Sequence, residues 1–303
     1  MSQATVKMAT AKVTEREAAC VTALKGEYPA SKADPADAGF LSDSTYLRFA
    51  RARDGNVERA SELLGATLKW RQQTKPYAIT MEEVQNTMKQ TTMYCGGRCK
   101  IGCPVIAMAL GMQNDCTVEE RTKQLVYIME ETQRKGYERI TWIIDFGAMG
   151  NHRDERSKEA RKETMKILQD YYPERMARIL LYRTPWYIRM LLGVAKMFMD
   201  ARTAAKVYNA GRTIEELEKF IDRDQVPPVC GGTMKGSALS HLEELPSLNS
   251  EEAQRPGHKQ HTADADSAND GGLVTSNNTA GEEPAAANGE AKRNDNIAAT
   301  DAA

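Results

Sequence analysis

The chain has 303 residues, 41% hydrophobic and 27% charged, with a formal net charge of −1. That is enough apolar content for a sizeable core, in one large domain or two smaller ones. The first twenty residues hold no signal-like apolar stretch, and the most apolar run, Met190 to Met199, is too short for a bilayer and contains Lys196. A cytosolic protein with reduced thiols is expected, not a secreted disulfide scaffold. The net charge hides an asymmetry. Residues 1–235 carry 37 basic and 30 acidic side chains and residues 236–303 carry 4 and 12, so a body of +7 precedes a tail of −8. A basic body suits anionic membrane surfaces; a solvated mixed surface accounts for the same counts equally well.

Residues 5–26 read as an exposed helix ending at Gly26. Ser42 and Asp43 can cap a helix whose apolar face is Tyr46, Leu47, Phe49 and Ala50, broken at Gly55. From Val57 to Gln72, Ala60, Leu63, Leu64, Thr67, Leu68 and Arg71 recur at helical spacing. A helical or flexible segment 1–39 thus precedes a small helical unit at 40–90. Beyond it the pattern changes, and 91–235 reads as a second unit. Met93 to Cys95 and Pro104 to Leu110 read as strands. A Thr117/Glu120 capping box opens a helix that ends at Gly136. Ile140 to Asp145 is a buried strand, Lys158 to Tyr171 a helix, and Ile179 to Tyr182 a strand. Next come a helix from Trp186, a strand at 206–209 and a helix over 213–221. This alternation predicts an α/β fold with a mainly parallel sheet. Residues 236–303 lack Trp, Tyr, Phe, Met and Cys and cannot offset the entropy of ordering, so an acidic disordered tail is expected.

Cys95-Gly-Gly-Arg-Cys-Lys-Ile-Gly-Cys103 falls between the first two strands. With Cys116 it offers four thiols, but it lacks the C-x₂-C steps of zinc and iron–sulfur sites. A thiol-bearing hairpin is the reading adopted, with no metal. No Gly-x-Ser-x-Gly or phosphate-loop motif is present, and three of the four histidines lie in the tail, so no catalytic residues are expected.

Several runs form an ordered set: Leu47-Arg-Phe-Ala-Arg-Ala-Arg53, Val57-Glu-Arg-Ala60, Leu68-Lys-Trp-Arg71, Tyr171-Tyr-Pro-Glu-Arg175, Asp200-Ala-Arg-Thr-Ala-Ala-Lys206 and Val226-Pro-Pro-Val-Cys-Gly-Gly232. In this order they resemble the CRAL-TRIO lipid-binding family, over about residues 40–235, and within it the phosphatidylinositol/phosphatidylcholine transfer proteins. The resemblance implies a CRAL-TRIO-type α/β fold with a helical N-terminal unit. A single phospholipid would be its ligand, with no other cofactor. It implies that Arg53, Glu174, Thr203 and Lys206 engage an inositol phosphate headgroup. It implies that Trp186, Tyr187, Met190, Leu191, Val194 and Phe198 form a gate that touches the membrane. A cavity for the acyl chains needs apolar sheet residues, for which Val105, Ala107, Ile143 and Leu181 are the candidates.

Departures accompany the resemblance. Asp54 stands where a basic residue is common, Cys99 and Cys103 replace an Asp and an Arg of the hairpin, and Cys230 replaces an aromatic. Ile140 and Trp142 occupy positions that hold phosphocholine in dual-specificity members, which puts phosphatidylcholine in doubt. The partners expected are phosphatidylinositol, a second lipid left unidentified, a transient membrane surface (Golgi or endosomal) and a lipid kinase. Nucleic acid is not expected. A scaffold that does not transfer lipid, or a carrier of another hydrophobe such as a sterol, is the alternative.

Overall fold

A computed structural model describes residues 12–37, 39–90, 93–110, 115–147, 155–190, 204–236 and 242–248. Three helices form an N-terminal cluster. Helix α1 (Glu15–Glu27) starts at a Thr14/Glu17 capping box. Helix α2 (Asp43–Ala52) is capped by Ser42, and α3 (Val57–Thr74) by Asn56. The expected break falls at Asp54 and Gly55, both with positive φ. Residues 5–11 of the expected first helix lie outside the described residues. Helix α1 is exposed over most of its surface, as expected, but one stripe is buried, with Cys20 and Leu24 fully buried against Phe49, Ala60 and Leu64. Its apolar stripe is only one residue wide, which is why the sequence reads as solvated. Helix α4 (Met81–Gln90) then leads into the sheet.

The strands are β1 (Met93–Arg98), β2 (Pro104–Ala109), β3 (Ile140–Asp145), β4 (Met176–Tyr182) and β5 (Val207–Asn209). They lie in the order β1-β2-β3-β4-β5. The β1–β2 pair is antiparallel and the other three pairs are parallel. Helices α5 (Val118–Arg134) and α6 (Glu155–Tyr171) supply the first two crossovers. Each parallel connection moves one strand in the same direction, so right-handed crossovers put both helices on one face of the sheet. That face buries Ile106, Leu125, Ile128, Ile140, Trp142 and Ile167.

The opposite face is covered by the C-terminal strap, residues 213–234. Val105, Ala107, Ile143 and Leu180 pack there beneath Leu217, Ile221, Val226 and Cys230. The helix expected over 213–221 is shorter, Ile214–Leu217. Beyond it the Phe220 carbonyl turns to the hairpin and accepts from the Lys100 N–H at 2.9 Å. Gly97 is required at the crossing: a Cβ there would lie 2.5 Å from the Gln225 carbonyl oxygen.

The cysteines divide between these faces. Cys95 belongs to the helix-side core, and Cys99, Cys103 and Cys230 to the strap side. The sheet therefore separates Cys95 from Cys99 and Cys103. Cys116 donates weakly to Gln90 Oε1 at 3.9 Å.

The boundary of the tail needs correction. Within the segment expected to be disordered, residues 242–248 dock on the helix-side core, with Leu242 and Leu245 buried. Lys135 Nζ donates to the carbonyls of Glu243 and Leu245, and Tyr137 Oη to that of Pro246 at 2.7 Å. Three leucines spaced within seven residues are too few to raise a compositional signal, yet backbone capture by Lys135 and Tyr137 is enough to hold them.

A buried ion network ties the helical cluster to the sheet unit. Arg71 on α3 donates to Glu130 on α5 at 2.8 Å through two nitrogens, and to Asp37 at 2.6 Å. Its guanidinium stacks 3.9 Å from the Phe40 ring centroid. Tyr172 Oη donates to Glu130 at 2.7 Å. Burial alone would raise the Glu130 carboxyl, but the hydrogen bonds and charge of Arg71, with help from Tyr172, hold it below the usual range. Beside it, Trp70 stacks on Tyr171 with centroids 4.2 Å apart.

Removing one partner of such a pair leaves an uncompensated buried charge, at a cost of about 3–5 kcal/mol. Glu130→Gln is expected to lose about that much in urea unfolding at neutral pH. The lowered Glu130 pKa adds stability that is complete above the ordinary carboxylate value of 4.5 and is lost as pH falls through the folded value. The variant should therefore show a shallower acid limb below about pH 5, which unfolding curves across that range would reveal. Separately, a chain ending at residue 236 should be less stable than one ending at 248, by about 2–5 kcal/mol on the scale of a buried leucine loss. Equal midpoints for the two would show that docking of 242–248 contributes nothing.

Candidate lipid-binding site

The sequence-predicted headgroup residues are positioned by three elements. Glu174 sits in the turn between α6 and β4, at φ 58. A non-glycine residue in the left-handed region carries a strain cost of the kind found at binding sites. Pro173 before it and the buried Arg175 after it hold the turn. Arg175 is fully buried and donates to the carbonyls of Tyr137 and Met129 and to Thr132 Oγ1. Lys206 directly precedes β5, and its carbonyl accepts from the Ile179 N–H at 2.7 Å. These two elements bring Lys206 Nζ to 2.7 Å from Glu174 Oε2. Both side chains are mostly sheltered, at 20% and 17% exposure.

Arg53 is on a separate element, the C-cap of α2. Its guanidinium donates to the Ala52 carbonyl at 2.9 Å and borders an open depression of about 540 Å³ with Arg59, Glu62 and Leu63. The neighbouring arginines of its motif are structural. Arg51 lies 3.7 Å from Glu17, both buried. Arg48 donates to Thr45 Oγ1 at 2.7 Å, and burial, with the nearby charge of Arg175, pushes its pKa down to about 9. Of the three, Arg53 alone is half-buried rather than buried. Thr203 lies outside the described residues.

At the other end of β4, seven residues away at about 3.3 Å each, a different surface begins. Arg183, again with positive φ at 51, pairs with the buried Asp145 and donates to the Val229 carbonyl at 2.9 Å. Sequence reasoning did not single out either partner as a site residue, since their contact joins two strand ends 38 positions apart. Immediately beyond, Trp186, Tyr187 and Met190 are 66%, 42% and 61% exposed. Three large apolar side chains within five residues, open to solvent, exceed the scatter of a normal surface. Leu191, Val194 and Phe198 lie outside the described residues.

The cavity-wall expectation is corrected by the register. Val105, Ala107 and Ile143 are packed beneath the strap. Leu181 pairs with Ile144 on the other face, because a bulge between Ile140 and Thr141 shifts β4 by one residue. A one-residue slip moves a side chain to the opposite face. The partly exposed apolar residues of the helix-side face are Met108, Ile144 and Ile179, beside Leu181. Ile140 and Trp142 are buried in the core of the same face, and the Trp142 Nε1 has no hydrogen-bond partner among the described residues.

Together these features give an α/β fold with a mainly parallel sheet, a strap behind it, and partly exposed apolar residues on the helix side. The CRAL/TRIO domain profile matches residues 88–232, so that stretch of the chain carries a CRAL/TRIO domain. It is 27% identical over 239 residues to Patellin-3 of Arabidopsis thaliana, covering 72% of this chain and 49% of that one. It is 28% identical over 212 residues to the phosphatidylinositol transfer protein PDR17 of Saccharomyces cerevisiae, covering 64% and 59%. It is 29% identical over 220 residues to the SEC14 cytosolic factor of Candida glabrata, covering 64% and 73%. The chain thus spans between half and three-fifths of the length of the first two. The crystal structure of Sfh5 shares the fold, with a TM-score of 0.50 at 16% identity over 75% of this chain and 91% of that one. Among the described residues no helix is long and apolar enough to cross a membrane.

Proposed function

We propose that the protein is a non-catalytic carrier that binds one phospholipid, phosphatidylinositol by preference, and transfers or presents it at membranes. The observation that carries this reading is the exposed Trp186/Tyr187/Met190 surface at the start of the β4–β5 connection. It adjoins the open apolar end of a sheet whose other face is covered by the strap. Aromatic side chains favour the membrane interface, and basic residues such as Arg189 favour anionic headgroups. Acyl chains would lie over Met108, Ile144, Ile179 and Leu181, each buried CH₂ contributing about 0.8 kcal/mol.

The Glu174–Lys206 pair is the proposed headgroup site, with Arg53 and Thr203 completing it. Glu174 holds Lys206 in place. A phosphodiester then takes over the ammonium as a point charge, and the freed carboxylate accepts from ring hydroxyls. The similarity to PDR17, a phosphatidylinositol transfer protein by name, supports this choice of headgroup. The two positions linked to phosphocholine, Ile140 and Trp142, are core residues here, which favours inositol over choline. The working location is cytoplasmic, with transient attachment to Golgi or endosomal membranes, where a lipid kinase would receive the presented lipid.

Loss of a charge-assisted hydrogen bond costs about 1.5–3 kcal/mol, or roughly 10–150-fold in affinity. Lys206→Ala should therefore lose co-purifying phosphatidylinositol, as read by lipid mass spectrometry, and transfer it more slowly, while its unfolding midpoint stays near wild type. Wild-type amounts of phosphatidylinositol in the variant would place the headgroup elsewhere. A different hydrophobe in both proteins would keep the fold and change the cargo. Replacing Trp186 and Met190 together by Ser should weaken binding to anionic liposomes by about tenfold or more, given about 1.5–3 kcal/mol per large apolar side chain. Unchanged flotation with liposomes would mean that another surface meets the membrane.

A further inference from the structure

The β1–β2 hairpin carries a chemistry that lipid carriage does not use. Its neck is closed by Cys99 and Cys103. The Cys99 N–H donates to the Cys103 carbonyl at 2.9 Å, and the Gly102 N–H to the Cys99 carbonyl at 2.7 Å. Gly102 has φ 80, so this is a short turn closed by a left-handed glycine. Residues opposed across such a ladder present their side chains on the same face. Both cysteines accordingly lie in the strap-side core.

The surroundings of the Cys99 sulfur are those of an anion site. Thr141 Oγ1 donates to it at 3.2 Å. The Cys103 thiol and the backbone N–H groups of Ile101 and Cys103 also point at it. Backbone N–H groups converging in a turn hold anions in the manner of a nest. Arg139 and Arg178 add positive charge beside Cys103. The hydrogen bond from Cys103 and those from Thr141 and the backbone hold the Cys99 thiol well below its ordinary value against the opposing effect of burial. Cys103, as the donor, is pushed up. Of the two sulfurs, Cys99 is the one whose ionised form its surroundings favour. Two other buried thiols show the contrast: burial pushes Cys95 up to about 12, and burial with the Asp145 charge pushes Cys230 up as well.

We propose that Cys99 and Cys103 form a peroxide-reactive dithiol, in which Cys99 is the attacking sulfur and Cys103 the resolving one. The Cys99 thiolate attacks one oxygen of hydrogen peroxide. The O–O bond breaks and the leaving hydroxide takes a proton to become water, which leaves Cys99 as a sulfenic acid. The Cys103 sulfur then attacks the Cys99 sulfur. The S–O bond breaks, and the oxygen departs as a second water with the Cys103 proton. Two thiols are oxidised to one disulfide and one peroxide is reduced to two waters. The oxidant is a small one because the two residues are only 4% and 2% exposed; a bulky disulfide cannot reach the sulfurs. The product would cross-link the hairpin at the point where the strap grips it, next to the Lys100-to-Phe220 hydrogen bond.

The test uses the full-length protein, reduced, freed of reductant, and exposed to hydrogen peroxide while folded. Remaining thiols are then blocked in denaturant and the chain is cut with trypsin. Cleavage after Lys100 separates the two cysteines, so the disulfide appears as Cys99-Lys100 joined to the 101–121 peptide. Fragmentation distinguishes Cys103 from Cys116 within that peptide. The expected result is this link as the first product. In Cys103→Ser, dimedone should capture a sulfenic acid at Cys99 instead. Thr141→Val, which keeps the shape of the side chain, should form the link several-fold more slowly at an unchanged level of folding. Three results would overturn the assignment. These are an unmodified Cys99 at peroxide levels that oxidise the other thiols, first oxidation at Cys20, Cys95, Cys116 or Cys230, and a Cys99 bond to any cysteine but Cys103.

Discussion

The Arg71 guanidinium, clamped in the interior between Glu130 and Asp37, governs how the parts of the molecule are joined. A charge this deeply buried is tolerated only with its partners in place. Those partners come from the loop before α2 and from α5, so the pairing fixes the helical cluster against the sheet unit. Trp70, the residue before Arg71, stacks on Tyr171, and Tyr172 donates to Glu130. Two of the motifs that carry the family resemblance, Leu68-Lys-Trp-Arg71 and Tyr171-Tyr-Pro-Glu-Arg175, thus meet in space. Most of what they encode is the joint between the helical cluster and the sheet.

That joint also positions the proposed headgroup pair. Tyr172 anchors the end of α6 and Arg175 is locked by three acceptors, so the single residue between Pro173 and Arg175 is forced into the left-handed region. Glu174 takes that strained position and presents its carboxylate to Lys206. Arg183, at the far end of β4, is likewise left-handed and held by Asp145. The two strained residues bracket the strand. One end of it presents a charged pair and the other the exposed aromatic surface, a separation that suits a ligand with a polar head and long apolar chains.

The two faces of the sheet have different fates for a topological reason. The crossovers through α5 and α6 go to one side, which leaves the other to be closed by the chain after β5. The strap does this with Leu217, Ile221, Val226 and Cys230. Val105, Ala107, Ile143 and Leu180 are buried on that side, while Met108, Ile144 and Ile179 are partly open on the helix side. The same closure brings the hairpin under the strap, with the Cys99 and Cys103 thiols sealed between them.

Periodicity and capping were sufficient to place most elements: the Ser42 and Thr117 caps, the break at Gly55, the buried β3 strand and the α/β alternation all depend on local chemistry. The ordered motifs pointed to the family for the same reason. Burial of one stripe of α1 was not legible, because Glu17, Cys20 and Leu24 look solvated until α2 and α3 lie against them. Docking of 242–248 was hidden because the polar residues 249–303 dominate the composition of the tail. Which face each strand residue takes depends on the assembled sheet. Alternation assigns two faces but does not say which one the strap covers, and the bulge between Ile140 and Thr141 exchanges them along β4. Contacts between residues a few positions apart, such as the caps and turns, are written into the local chain. Those between Glu174 and Lys206, or Arg71 and Glu130, span 32 and 59 positions, and contacts of that kind are set by how whole elements pack.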